Sequence, residues 1–385
     1  MLLRNLYGLK QGNKTWFELL RDRLTDDPSI DGFGLTQSLV DPCIFYKEGL
    51  TIIVFVDDCL IFAADKNITD KFIAALQEQF MLTDEGPVHN YLGVEMTLHK
   101  NGQITLAQPY LLQRIITALG DSVKDCNVKG TPSVYKEVLH KDDSGPARKH
   151  TWKYRSIIGM LNYLTNTTRP DCLFATHQCA RFCTDPKLSH ERAVKRIVRY
   201  LKGTADKGIK LTPDYTKGIE CYVDADFAGG YSKETANQPT SVLSRTGFVI
   251  YYLGCPVVWL SKMQTEIALS TTEVEYIALS QATRGVIPMQ NLILELECHF
   301  GNITPKPTIS CTLFEDNNGA IQLAQSPRYR PRTTHIAIKY HHFWSHVGKT
   351  VEIKPINTKE QIADQFTKGL SIHMFEYLRK KLMGW

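Results

Sequence analysis

Two adjacent aspartates, Asp57 and Asp58, sit inside the run Thr-Ile-Ile-Val-Phe-Val-Asp-Asp-Cys-Leu-Ile-Phe-Ala-Ala at residues 51–64. Each flank is apolar, rich in β-branched residues and of strand length, so the polar pair predicts the tip of a β-hairpin. Two carboxylates beside so much apolar sequence are costly unless a cation neutralises them, and a divalent metal with oxygen ligands suits that need. A solvated Asp-Asp turn is the competing reading. Further acids fall at element ends in the last third of the chain. Asp224 and Asp226 end a strand that begins near Ile219, and Glu273 and Glu275 open a helix with a Ser or Thr cap. Glu315 and Asp316 end another strand, and Asp364 leads into the last helix. Residues two apart share a strand face but not a helix face, and strand neighbours alternate. Spacing therefore leaves the choice within each pair open.

The elements that would carry these acids fall into segments. Residues 1–120 mix helical and strand patterns. Residues 121–150 are polar, rich in Lys, Asp, Gly and Pro, and read as a linker. Residues 151–215 are mainly helical and basic. From residue 216 the order is strand, strand, strand, helix, strand, helix, helix, strand, helix, which implies a mixed sheet flanked by helices. The helix at 187–202 places Ala193, Val194, Ile197, Val198 and Leu201 on an inward face. Arg192, Lys195, Arg196, Arg199 and Lys202 occupy the rest, either as a solvated face or as a track for phosphates.

At 385 residues the chain is long enough for two or three domains. Its net charge of +5 fits a nucleic-acid partner without demanding one. The ten cysteines are scattered and form no C-x-x-C pair, which argues against a zinc site. His177, Cys179 and Cys183 lie in an apolar helical pattern and read as packing residues. No signal peptide is evident, so the thiols are expected reduced and the protein not secreted. The run around Phe55 is interrupted by its aspartates and does not span a membrane. Asp143-Ser144-Gly145 matches the aspartic-protease triplet but lies in the polar linker without an apolar flank, so that chemistry is rejected.

Ordered motifs then point to a family. Leu6-Tyr7-Gly8-Leu9-Lys10-Gln11-Gly12 reads as a Gly-rich turn with a lysine. Phe55-Val56-Asp57-Asp58 follows, and Tyr91-Leu92-Gly93-Val94-Glu95 opens another strand-like piece. The series resembles the reverse transcriptase palm of copia-type LTR retrotransposons. It continues through Tyr154-Arg155-Ser156-Ile157-Ile158-Gly159, Thr168-Arg169-Pro170-Asp171 and Arg199-Tyr200-Leu201-Lys202-Gly203-Thr204. The C-terminal acids resemble the ribonuclease H domain of the same polyproteins. The resemblance therefore covers essentially the whole chain.

The resemblance implies an α/β and α+β multi-domain fold. Residues 1–120 would be a partial right-hand palm and thumb start, 121–150 a linker, 151–215 a helical thumb or connection, and 216–385 a ribonuclease H-like domain with a mixed five-stranded sheet. It implies Asp57 and Asp58 as metal-binding carboxylates for nucleotide addition, with Lys10, Gln11 and Gly12 near template and nucleotide and Leu92 and Gly93 in the primer grip. Arg196, Arg199 and Lys202 would contact nucleic acid. The ribonuclease H motif selects Asp224, Glu275, Asp316 and Asp364, which would converge from two strand ends and two helices to hold two Mg²⁺ ions, with Mn²⁺ as a substitute. Expected partners are an RNA–DNA hybrid or primer–template, with other Pol or Gag products of the element, and no membrane. The expected location is the cytoplasm, in a virus-like particle, or the nucleus.

Departures from the family pattern shape a further expectation. The palm's third carboxylate belongs upstream of Leu6, where residues 1–5 leave no room for its strand, so the chain reads as a C-terminal fragment. On that reading templated synthesis is lost and Mg²⁺-dependent cleavage of the RNA strand is retained. The alternative is a non-catalytic nucleic-acid-binding remnant. Ala337 replaces an aspartate, Leu260 a lysine, and no histidine lies between Val347 and Asp364. His335, His341 and His342 read as packing or strand-contact residues.

Overall fold

The computed structural model of the chain describes residues 10–30, 32–124, 126–300, 311–325 and 340–385. It is a mixed α/β protein with three sheets. The chain divides into two compact units, one of residues 1–87 and 287–306, the other of 88–286 and 307–385. No described helix is long and apolar enough to cross a membrane.

The first unit opens with α1 (Lys10–Thr25), continues through β1 (Thr36–Gln37), β2 (Ile44–Lys47), β3 (Leu50–Phe55) and β4 (Asp58–Ala63), and adds α2 (Lys66–Gln79). The strands form one antiparallel sheet in the order 1-2-3-4. Asp65 caps α2 by accepting from Asn67 N. Leu20, Leu24, Phe45, Ile52, Val54, Phe72 and Leu76 make the core between sheet and helices.

The second unit begins with β5 (Asn90–Tyr91), β6 (Val94–Leu98) and β7 (Ile104–Ala107), followed by the helices α3 (Pro109–Leu119) and α4 (Asp121–Lys124). Then come α5 (Tyr154–Thr167), α6 (Leu173–Ala180), α7 (Leu188–Lys202) and β8 (Ile209–Leu211), which joins the sheet of β5–β7. The α3, α5, α6 and α7 faces share one core, which includes Ile115, Leu161, Val194, Ile197 and Leu201. Residues 88–120, grouped with the first segment in the sequence reading, thus pack with the helices that follow the linker. Tyr91-Leu92-Gly93-Val94 does not simply open a strand: Leu92 and Gly93 form the two-residue hairpin turn, at φ 51° and 74°.

The third sheet contains β9 (Ile219–Asp226), β10 (Arg245–Tyr252), β11 (Cys255–Met263), β12 (Cys311–Glu315) and β13 (Val351–Pro355). Between β11 and β12 runs α8 (Thr271–Phe300), and α9 (Asn318–Gln325) follows β12. The chain ends with α10 (Asp364–Thr367) and α11 (Ile372–Met383). Sheet order is 11-10-9-12-13. The first three strands are antiparallel, while β12 runs parallel to β9 and to β13. Parallel neighbours need long crossovers, which the helical connections supply. The segment expected to lead directly into the last helix instead forms the one-turn α10 before a separate α11. The back half of α8 belongs to the first unit, where Glu295 accepts hydrogen bonds from Ser38 Oγ (2.8 Å), Leu39 N (2.9 Å) and Tyr46 Oη (2.8 Å).

Two of the sequence motifs meet in this unit. Arg169 is fully buried and grips Asp171 bidentately, at 3.0 and 2.8 Å, and also donates to Thr204 O and Oγ1. Tyr200 Oη donates to Asp171 Oδ2 at 2.6 Å. The Thr168–Asp171 and Arg199–Thr204 blocks are therefore two halves of one buried ion-pair lock.

Candidate metal centre

Asp224 lies near the carboxyl end of β9, and Asp316 follows the last residue of β12, its parallel neighbour. Carboxyl ends of parallel strands are where crevices open in α/β sheets. Glu275 comes from the first turns of α8 and Asp364 from the start of α10. Asp224, Glu275 and Asp316 each offer an oxygen within 4.8 Å of the others. Asp364 joins through Lys368, whose Nζ lies 2.9 Å from Asp364 Oδ1 and 3.6 Å from Asp224 Oδ2. Thr367 Oγ1 also donates to Asp224 Oδ2.

Local structure separates the paired acids. Ser270 caps α8 by accepting from Glu273 N at 3.2 Å, and Glu273 returns its carboxylate to Leu269 N at 2.7 Å. This near-capping-box geometry occupies Glu273 at the helix start. Glu275 Oε2 is buried with no hydrogen-bond partner. Asp226 shares the Asp224 face one pleat further along β9. Glu315 ends β12, and both it and Asp316 stand near enough to Asp224 for that carboxylate to raise them. Glu315 is fully buried, accepts from Asn317 N through Oε1, and keeps Oε2 unpartnered.

The electrostatics are those of crowded acids. Burial, then Glu315 and Asp224, hold the Glu275 carboxyl well above its ordinary range. Burial also raises Glu315, against the opposing donation from Asn317. Asp316 is raised chiefly by burial, opposed by a hydrogen bond with Thr358. Burial and Asp224 push Asp364 up to about 8 in spite of Lys368. Burial works to lower the Lys368 ammonium, but Asp224 and Asp364 outweigh it and raise it. Among the described residues, Lys368 is the sole cation within ion-pair distance of this cluster's carboxylates. Hard, anionic oxygens with an orphaned buried Oε2 fit a divalent cation of the Mg²⁺ type.

Glu315 was one of the paired acids that spacing left open, whereas Lys368, Gln361 and Gly247 were not among the expected site residues. The i, i+4 spacing of Asp364 and Lys368 was a visible signal for one of them. Gln361 is fully buried, and its Nε2 donates to Val223 O at 2.8 Å and Phe314 O at 3.4 Å, tying β9 to β12 just before their acids. Gly247 pairs with Asp224 across β9 and β10, and a Cβ there would lie 2.7 Å from Thr367 Cγ2 and 2.8 Å from Phe366 Cβ.

The other expected site residues lie elsewhere. Asp57 and Asp58 are exposed at the β3–β4 hairpin tip. The turn residue Val56 has φ 54°, a strained value for a β-branched residue, and Trp16 Nε1 holds its carbonyl at 2.9 Å. Residues 6–9 lie outside the described residues, and Gln11 and Gly12 belong to the first turn of α1 rather than to a loop. Lys10 begins that helix. Leu92 O accepts from Tyr163 Oη at 2.5 Å. Three of the basic residues of α7 turn onto the linker: Arg196 to Thr131 Oγ1 (2.8 Å), Arg199 to Asn127 O (2.6 Å) and Lys202 to Lys124 O (2.5 Å). These donors are engaged by the chain itself. His341 and His342 pack against α8 through Tyr276 and Ser280, while His335 and Ala337 lie outside the described residues.

The comparisons with known proteins agree with the ordered motifs. The family model described as "Reverse transcriptase (RNA-dependent DNA polymerase)" matches residues 1–135. The chain is 30% identical over 386 residues to the retrovirus-related Pol polyprotein from transposon RE1 of Arabidopsis thaliana, covering 99% of the chain and 25% of that protein. It is 30% identical over 403 residues to the Pol polyprotein from transposon TNT 1-94 of Nicotiana tabacum, covering 100% and 28%. An uncharacterised mitochondrial protein of Arabidopsis thaliana is 31% identical over 230 residues, covering 60% of this chain and 90% of that protein. The chain thus spans about a quarter of the length of the Pol polyproteins it matches. Among solved structures, LC11-RNase H1 from compost overlaps 39% of this chain and 92% of its own, at 16% identity and a TM-score of 0.27.

Proposed function

We propose that this chain, which belongs to the copia-type LTR-retrotransposon Pol polyprotein family, cleaves the RNA strand of RNA–DNA hybrids through Asp224, Glu275, Asp316 and Asp364. The observation that carries this reading is the convergence of two buried carboxylates, from β9 and α8, and a half-buried one after the end of β12, within 4.8 Å. On this reading residues 216–385 are a ribonuclease H-like domain. Residues 151–215 are its connection, 121–150 a linker, and 1–120 belong to a polymerase palm and thumb.

Asp224, Glu275 and Asp316 would hold Mg²⁺, with Asp364 beside them. When bound, the metal supplies activation of water and stabilisation of charge on the phosphate. The chain's own residues do the rest. Lys368 holds Asp364 and Asp224 at fixed spacing, and Thr367 donates to the same Asp224 Oδ2 that Lys368 faces. Gln361 keeps the two acid-bearing strands in register. Asp364, held by Lys368 beside the three metal ligands, would complete the acidic wall that faces the scissile phosphate. The hybrid would be recognised through its backbone and 2′-hydroxyls rather than its sequence.

Cleavage of a labelled RNA–DNA hybrid in Mg²⁺ tests this. Asp224→Asn is expected to abolish it. Equal cleavage by both chains would sink the carboxylate assignment, and an inactive wild-type chain would leave the non-catalytic remnant as the better account. A second reading is favoured by the exposed Asp57–Asp58 tip within the matched polymerase segment. It makes that pair metal ligands for nucleotide addition on a primer–template. Primer extension lost on Asp57→Asn would support it, and absence of extension by the wild-type chain would remove it.

A further inference from the structure

A second group of buried charges lies one residue pair beyond the acids, and its sign is opposite. Arg245 pairs with Asp226 across β10 and β9, just as Gly247 pairs with Asp224. Residues two apart share a strand face, so Arg245 projects on the acid-bearing side, about 7 Å further along. The Arg245 side chain is 3% exposed and lies over the Phe174 ring. Its Nη1 donates to Ser261 Oγ at 3.0 Å, while Nη2 has no partner.

Arg245 lines a small, part-open concavity with Arg181, Gln178, Asp226, Gly229 and Gly230. Arg181 comes from the end of α6, where its Nη1 reaches Leu139 O and Gln178 Oε1 at 3.3 Å each. Among the described residues neither guanidinium has a carboxylate within ion-pair distance. Asp226 is on the rim but packs towards the loop, where its Oδ2 would lie 1.7 Å from a Cβ on Gly229. Burial and Arg181 lower the Arg245 guanidinium to about 10, with Asp226 opposing, and burial and Arg245 lower His177 to about 4. Burial and Arg181 lower His140 as well. The local field is one of excess positive charge.

A guanidinium stays protonated in a protein, and a buried one needs an anionic partner. Its planar fork matches the oxygens of a phosphate. We infer that Arg245 and Arg181 form a pocket for a backbone phosphate of the nucleic acid bound at the carboxylate cluster. The pocket joins the sheet that carries the acids to a helix of the preceding segment, so both segments hold the same strand. The identity of the ligand rests on the hybrid-cleaving reading, whereas the pocket's preference for an anion does not.

Anisotropy of a short labelled RNA–DNA hybrid in EDTA, followed across a salt series, tests binding apart from cleavage. Arg181→Gln and Arg245→Met are each expected to weaken binding roughly tenfold. Each is also expected to flatten the salt dependence by about one phosphate. Arg181 is partly exposed, so that variant tests the pocket even where Arg245→Met fails to fold. A third arm leaves the protein untouched. A single methylphosphonate is walked along each strand, and one position is expected to weaken wild-type binding without further weakening the Arg181→Gln chain. Wild-type affinity and slope in Arg181→Gln, or no such position, would overturn the proposal. Inorganic phosphate that raises the wild-type Tm while Arg181→Gln keeps full hybrid affinity would mark a free-anion site and overturn it too. Loss of cleavage in Asp224→Asn with normal hybrid binding keeps the two readings separate.

Discussion

The second unit contains two buried charged clusters built on opposite principles. In the Arg169 lock, both oxygens of Asp171 are matched by guanidinium and hydroxyl donors, and Arg169 directs two further donors to Thr204. Both carboxylate oxygens are satisfied. In the acid cluster, Glu275 and Glu315 each keep a buried oxygen without a donor, and Lys368 stands against several carboxyl groups. A satisfied buried pair is structural cement whose removal is costly. An unsatisfied one is a standing demand for a ligand, and its members destabilise the ligand-free chain. Burial alone therefore does not separate structural from functional charge, but the donor balance does.

That contrast can be broken by experiment. Arg169→Met strands Asp171 in the core and is expected to cost about 3–5 kcal/mol in urea unfolding. Tyr200→Phe removes one donor from the same carboxylate and is expected to cost about 1.5–3 kcal/mol. Glu275→Gln should act in the opposite direction. It removes a repelled charge and is expected to stabilise the metal-free chain by about 1 kcal/mol while abolishing stabilisation by Mg²⁺. Destabilisation by Glu275→Gln would erase the distinction between the clusters. The smallest effect concerns pH. The raised folded-state values of Asp364, Glu275 and Asp316 give stability that is present below the ordinary carboxylate range. It is lost as pH rises through the folded values, near 8 for Asp364. The metal-free Tm is expected to fall by about 2–4 °C per kcal/mol lost between pH 5 and 8. Mg²⁺ should restore more of it at pH 8 than at pH 5, and a flat metal-free profile would contradict the assignment.

Much of the local architecture was legible in the sequence. The hairpin around Asp57 and Asp58 follows from two strand-length apolar runs, and the strand and helix order after residue 216 follows from changes of period. What escaped was decided by tertiary packing. Helix periodicity marked Arg196, Arg199 and Lys202 as outward-facing, but not that the linker would fold back and take up their donors. Alternation set Glu315 apart from Asp316, but carried no sign that both acids would stand near Asp224. The return of the back half of α8 to the first unit rests on Glu295 meeting Ser38, Leu39 and Tyr46, a contact across some 250 residues that carries no local signal. The Arg245 pocket is of the same kind, since its walls come from α6, β9, β10 and the loop between those strands.

The clearance at Gly247 has a consequence at the level of the gene. Any side chain there must push the turn of Phe366 and Thr367 away from the strand carrying Asp224, so the position admits one amino acid. A glycine codon survives third-base changes and is lost by a missense or nonsense change at either of the first two bases. Codon 247 therefore serves as a record. In a set of related copies, those that have replaced it have ceased to be held to the geometry of the acid cluster, whatever the state of the acids themselves.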